Sequence, residues 1–294
     1  MQANTRICRL KQINLDQPIK QDTNSQWRDP IETKPVDACR ILLQNINGIS
    51  KWTDFSETHT IGENIQKFQI DILGLMETNL NWNPSHHHAE HSILQKYQKN
   101  SFFNTKSEET ESDSAYLPGG TATWVRDPWS GRADTGSPRA DPTDMGRWTE
   151  VTLKGKFGNS VTIITAYRIP QASIETCSHN TSYYRQWLSL RARKIDPLQL
   201  RAHILESLTT RIQEIHKNQG LAIVLMDSNE STGKLGPFSK WIQKNNLIDP
   251  HQRHHMDSPE PATFIRGTKH IDYILISHEL QDKVLAVRIL RFFD

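Results

Sequence analysis

The stretch that most limits how this chain can fold runs from Pro197 to Glu230. Leu200, Ile204, Leu208, Ile212 and Ile215 recur every three or four residues, which places them on one face of a helix. Gly220 stops that helix, and Leu221-Ala222-Ile223-Val224-Leu225-Met226 follows without a polar interruption. An amphipathic helix feeding a wholly apolar strand predicts a sheet buried beneath helices. The strand then turns abruptly to Asp227, Ser228, Asn229 and Glu230, so a buried strand ends in a cluster of acids and an amide.

The rest of the chain repeats this grammar irregularly. Short apolar runs at 39–44, 70–76 and 119–125 read as strands, and Thr60 to Gln69 reads as an amphipathic helix. Residues 148–153 and 161–167, joined by Lys-Gly-Lys-Phe-Gly-Asn, read as a hairpin. A short helix near 236–246 precedes strands at 262–265, 271–276 and 284–290, and the segment 82–100 is expected to be partly helical. Polar loops are expected at 107–118 and 126–144. Strands outnumber helices and alternate with them unevenly, which points to a mixed α/β domain with more than one sheet. Residues 1–36 are polar and aperiodic and are expected to form a flexible leader, leaving 37–294 as the folded domain.

Bulk properties exclude several classes. The formal net charge is only +2 across 294 residues, so no chain-wide basic field announces nucleic acid, and any such function must come from a site. Three cysteines, Cys8, Cys39 and Cys177, make neither a CxxC pair nor a disulfide framework. The N-terminus has no apolar signal core, and no run approaches the about 20 apolar residues of a membrane span. A soluble intracellular protein without a disulfide-linked partner is expected.

Three strands finish with the same chemistry. Strand 41–44 leads into Asn45 and Asn47, strand 70–76 into Glu77, and strand 221–226 into Asp227 and Asn229. A fourth, 271–276, carries Asp272 inside an apolar run, where a carboxylate needs a partner. Strand ends are where α/β and sandwich proteins build sites.

In order, QNINGI, DILGLMET, GGTATWV, GRWTEVTL, ITAYRIP, IVLMDSNES, ATF and HIDYIL resemble the endonuclease/exonuclease/phosphatase superfamily. Within it they look most like the AP-endonuclease-type endonucleases of non-LTR retrotransposons. The resemblance implies a four-layer sandwich, with two mixed β-sheets packed face to face and helices outside. It implies a phosphodiesterase using Mg²⁺ or Mn²⁺, a DNA substrate, and a nuclear place of action if the chain derives from a retrotransposon. On the matching positions, Asn45 and Glu77 fall in the metal-site motifs, with Asn47 in the same loop. Tyr167 matches the tyrosine near the scissile phosphate, Asp227 and Asn229 the pair that handles the attacking water, and Asp272 the aspartate that holds the catalytic histidine. The residue types suit the chemistry. Phosphodiester hydrolysis needs a cation on the phosphate oxygens, a base for water and donors for developing charge.

The match departs from the family in three places. No Ser-Asp-His occurs in the sequence, so its histidine has no counterpart, and the chain reads as cut short of that motif. Met226 stands where glycine is usual. Tyr-Arg-Ile-Pro-Gln replaces a shorter Tyr-x-Pro-Asn, with Gln171 the candidate for the Asn. His270, two residues from Asp272, is expected to contact substrate phosphate. The histidine groups 86–88 and 251, 254, 255 read as surface residues. Arg185, Arg191, Arg193 and Lys194 beside Tyr183, Tyr184 and Trp187 could track a DNA backbone or form a solvated helix face. An RNA or phosphoinositide phosphoesterase, and a nucleic-acid-binding remnant without catalysis, are the alternative readings.

Overall fold

The computed structural model describes residues 5–10, 33–49, 56–82, 96–97, 100–110, 114–136, 139–233, 236–256, 262–263 and 269–290. Among the described residues eleven strands are formed: β1 (Thr5–Leu10), β2 (Cys39–Asn45), β3 (Ile72–Met76), β4 (Ser101–Lys106), β5 (Thr121–Arg126), β6 (Trp148–Lys154), β7 (Ser160–Tyr167), β8 (Leu221–Asp227), β9 (Leu247–Ile248), β10 (Asp272–Ser277) and β11 (Val284–Leu290). The α-helices are α1 (Ser56–Lys67), α2 (Ser182–Ala192), α3 (Leu200–Lys217), α4 (Pro237–Lys244) and α5 (Pro250–His254). One sheet runs β11-β1-β2-β3-β5-β4 and the other β6-β7-β8-β10-β9. Both are mixed. β2 and β3 are parallel across the α1 crossover, β7 and β8 are parallel across α2 and α3, and the remaining pairs are antiparallel.

Three apolar clusters define the layers. Ile41, Leu43, Ile72, Ile163, Ile223, Leu225 and Ile274 fill the space between the sheets. The alternate residues face outward. Leu42, Leu73 and Leu75 pack on Ile61 and Ile65 of α1, while Val224 and Met226 pack on Ile204, Leu208 and Ile212 of α3. A central strand is therefore apolar on both faces, which is why LAIVLM shows no alternation. The helices shield the outer faces, and the expected four-layer sandwich is the observed fold. Gly74 explains how closely the sheets approach. A Cβ there would stand 2.7 Å from Leu225 Cδ1 and 2.8 Å from Thr165 Oγ1, both on the facing sheet.

Several expectations change. Thr5–Leu10, inside the expected leader, is a strand between β2 and β11. Its sequence TRICRL carries no clean alternation, and backbone ladders on both sides supply the order that propensity does not. Residues 11–32 lie outside the described residues. β4 falls in a segment assigned no element, α1 begins at Ser56 rather than Thr60, and the 182–192 stretch is a helix. Ala262 and Thr263 are not in a strand; the rest of the strand expected at 262–265, and most of 82–100, lie outside the described residues. Among the described residues no helix is long and apolar enough to cross a membrane, and Cys39 and Cys177 are free thiols.

Candidate active site

The ends of β2, β3, β7 and β8 meet at one pole of the sandwich. Asn45 closes β2 and Glu77 follows β3 in one sheet, while Tyr167 and Asp227 close β7 and β8 in the other. Asn47, Glu77 and Asn229 take left-handed backbone conformations, with φ of 48°, 49° and 48°. Asn adopts these readily. A Glu gains no local hydrogen bond from doing so, and such strain concentrates at working sites. The loops are stitched together by their backbones. Gly48 N–H donates to the Glu77 carbonyl at 2.7 Å, Ile49 N–H to Thr78 at 2.9 Å, and Asn79 N–H to Gly119 at 2.7 Å. Asn79 Oδ1 accepts from Gly119 N–H at 2.7 Å.

Asn45 bridges the two sheets. Its Nδ2 donates to Glu77 Oε1 at 2.8 Å and to Asp227 Oδ2 at 2.8 Å, and its Oδ1 accepts from Asn47 N–H at 3.0 Å. The Tyr167 hydroxyl lies near enough to Glu77 and to Ser182, the first residue of α2, for each to bear on its ionisation. Asp227 pairs in register with Tyr167 on one side and Asp272 on the other. Its N–H donates to Met76 Sδ at 3.0 Å, so the thioether of β3 occupies the seam beneath it. Asp227 Oδ1 accepts from Asn229 N–H at 3.0 Å, and Asn229 Nδ2 donates to the Arg168 carbonyl at 2.8 Å. Asp272 N–H donates to Thr263 Oγ1 at 3.1 Å, which ties the ATF segment to this strand.

Like charge crowds the site. Burial, then Asp272, then Glu77 push Asp227 well above the usual carboxylate range, against the bonds from Asn45 and Asn229. Burial raises Glu77 too, opposed by Asn45 and Tyr167. Burial and these same acids raise the Tyr167 phenol, which keeps it a hydrogen-bond donor. The fit to a hard dication follows from this donor set of carboxylate and amide oxygens around an excess of negative charge. Among the described residues no three of His, Cys, Asp and Glu converge as a complete metal cage. Mg²⁺ asks for less, since it commonly binds through one or two carboxylates and keeps its waters.

Other expected site residues lie differently. Asn47 is exposed and contributes its backbone N–H to Asn45. Gln171 is exposed in the loop after β7. His270 is buried, its ring 4.7 Å from that of Tyr273 and 5.5 Å from that of His251. His251 is buried in α5, against the surface position expected for it, because α5 packs on β10 and β11. Residues 86–88 lie outside the described residues. Of the basic stretch on α2 and just beyond it, Arg185 pairs with Glu108, Arg191 lies over the Trp187 ring at 5.2 Å, and Arg193 reaches Asp144 at 3.9 Å. The structure adds Ser182, Met76, Asn79, Arg168, Arg201 and Glu230 to the neighbourhood. Met76, Arg168 and Glu230 each stand next to an expected site residue in the sequence, beside Glu77, Tyr167 and Asn229.

No family model and no curated protein matches the chain. Solved structures match about four fifths of the chain at low identity. The AP endonuclease LMAP of Leishmania major superposes with a TM-score of 0.58 at 14% identity, covering 82% of this chain and 80% of that one. The catalytic domain of human Nocturnin with bound sulfate gives 0.55 at 17%, covering 82% of each. The Neisseria 3′ phosphatase NExo bound to a product DNA hairpin gives 0.53 at 15%, covering 81% of this chain and 86% of that one. The chain therefore has the two-sheet α/β fold of these three structures.

Proposed function

We propose that this chain is a metal-dependent phosphodiesterase domain that nicks DNA, of the AP-endonuclease-like type carried by non-LTR retrotransposons. The observation that supports it best is the Asn45 amide, held 2.8 Å from the Glu77 carboxylate of one sheet and 2.8 Å from the Asp227 carboxylate of the other. An amide locked between two acids from opposite sheets defines one reaction centre at the strand ends. The fold shared with an AP endonuclease and a DNA-bound 3′ phosphatase agrees with that substrate.

Glu77, steadied by Asn45 and Tyr167, is the residue to hold Mg²⁺ or Mn²⁺, with Asn45 and Asn47 beside it. The bound dication supplies positive charge against the phosphate oxygens. Asp227 takes the proton of the attacking water, oriented by the Asn229 N–H on its Oδ1. The Asn229 side chain, with one Nδ2–H beyond its bond to the Arg168 carbonyl, and the Tyr167 hydroxyl are donors for the charge that develops on phosphate, while both Nδ2–H groups of Asn45 are held by Glu77 and Asp227. Asp272, beside Asp227, is the residue to orient a general-acid histidine. The family's Ser-Asp-His does not occur in the sequence.

A supercoiled plasmid tests this. With Mg²⁺ the chain converts it to nicked circle. Glu77→Gln and chelation each abolish nicking. Equal nicking by Glu77→Gln sinks the reading. Cleavage of RNA, or phosphate release from a phosphoinositide, with the plasmid left intact would transfer the site to those substrates. Salt-sensitive DNA binding without cleavage would mark a binding remnant.

A further inference from the structure

The loop that carries Asn229 is fastened by a residue with no part in the chemistry above. Glu230 Oε2 accepts from Arg168 Nη1 at 2.7 Å and from Arg201 Nη2 at 3.4 Å. Its Oε1 accepts from Phe238 N–H at 3.0 Å, in the first turn of α4, whose N-cap Gly236 offers no side chain. One carboxylate thus joins the end of β7, the first turn of α3 and the start of α4.

The two arginines close the assembly around Asn229. Arg168 is buried immediately after Tyr167, and its Nη1 also donates to the Ser228 carbonyl at 3.3 Å and its Nε to the Arg201 carbonyl at 3.0 Å. Arg201 Nη2 donates to the Asn229 carbonyl at 3.2 Å, and its Nη1 to the Ile169 carbonyl. Asn229 Nδ2 returns a bond to the Arg168 carbonyl at 2.8 Å. Asn229 is therefore held at its carbonyl by Arg201 and at its side chain by the Arg168 carbonyl while its backbone is left-handed, φ 48°. A residue in such a conformation keeps it only when its surroundings over-determine it. Two guanidiniums on one carboxylate leave a surplus positive charge beside Asp227, whose negative charge is felt at Arg201. The forked geometry of guanidinium is what lets each arginine take a carboxylate and a carbonyl at once.

We propose that Glu230, Arg168 and Arg201 are positioning residues that lock the Asp227–Asn229 loop in the geometry that phosphodiester cleavage requires. The kinetic side rests on the proposed nuclease function; the structural side does not. A displacement of about 1 Å at a reacting group costs on the order of 10² in rate, so loosening this loop is felt in turnover rather than in substrate binding.

The experiment combines amide hydrogen exchange with steady-state kinetics on the chain, for Glu230→Gln, Arg168→Met, Arg201→Lys and the double variant Glu230→Gln/Arg168→Met. Glu230→Gln is expected to raise exchange across Ser228–Thr232 at least about tenfold. It lowers kcat by roughly 10–100-fold and leaves KM and the Mg²⁺ half-saturation within about twofold. The double variant is expected to be no worse than the poorer single variant, because all three residues serve one lock. Arg201→Lys, at a less enclosed position, keeps charge without the fork and gives an intermediate loss; it carries the comparison if Arg168→Met does not fold. Unchanged exchange in Glu230→Gln overturns the proposal. So does a raised KM with unchanged kcat, which would make the arginines substrate ligands. If the wild-type chain cleaves nothing, the nuclease function fails, while the exchange result still decides whether the lock exists.

Discussion

Two groups of buried charge in this protein are built on opposite plans. Around Arg147, buried with Asp141, every charge has its complement. Nε donates to Asp141 Oδ2 at 2.8 Å, Nη2 to Thr143 Oγ1 at 2.8 Å, and Nη1 lies 3.1 Å from His203 Nδ1. Burial alone would raise Asp141. The Arg147 charge and the bonds from Arg147 and Thr143 outweigh it and hold Asp141 below the usual carboxylate range. At the strand-end pole the partners of Asp227 include two further acids, and its carboxyl is pushed up instead. The first arrangement lowers the energy of the fold. The second holds unresolved like charge in place, which is how sites prepared for a cation or a proton differ from structural ion pairs.

Removing one side of the satisfied pair has the larger expected effect. Arg147→Met strands a buried carboxylate and is expected to cost about 3–5 kcal/mol of stability, read from urea unfolding. A loss under about 1 kcal/mol would break the comparison. At the crowded pole the signs split. Asp227→Asn is expected to lower cleavage by roughly 10²–10⁴-fold. The same substitution removes like-charge repulsion and raises metal-free stability by on the order of 1 kcal/mol. A lower unfolding midpoint for this variant would make the acid cluster structural.

The smallest effect is the pH response. A carboxyl whose folded pKa is depressed contributes stability that is present above its unfolded value, about 3.9, and lost as pH falls through the folded value. Stability of the wild-type chain should therefore drop below about pH 4 more steeply than that of Asp141→Asn. Equal slopes would remove Asp141 from the account.

Much of the architecture was readable because burial on two faces leaves a plain mark. Strands β3, β8 and β10 announced themselves as apolar runs, and α3 by its periodicity. β1 and β4 did not, since each is held by ladder partners distant in sequence rather than by its own pattern. Among site residues, Asn45, Glu77, Asp227 and Asp272 were marked by their places at or within strands and Tyr167 by the resemblance alone, and the structure gathers them at one pole. Arg168, Arg201 and Glu230 were not assigned roles. Charged residues at a turn look solvated in sequence, and only the convergence of β7, α3 and α4 makes them an internal lock. Asp141 was likewise hidden in a loop rich in turn residues, and Arg147, within the GRWTEVTL stretch, was given no role.

The sequence by itself determined that this chain forms buried strands under amphipathic helices and that acids and amides stand at the strand ends, because burial and chain reversal are local demands written into residue type and period. The tertiary structure alone decided which of those polar groups meet. Whether a carboxylate faces an amide, an arginine or another carboxylate depends on how two sheets far apart in sequence pack together. The same buried acid becomes one half of an ion pair at Asp141 and a carboxyl crowded by other acids at Asp227 because electrostatic energy depends on distance and desolvation, and neither exists until the sheets close.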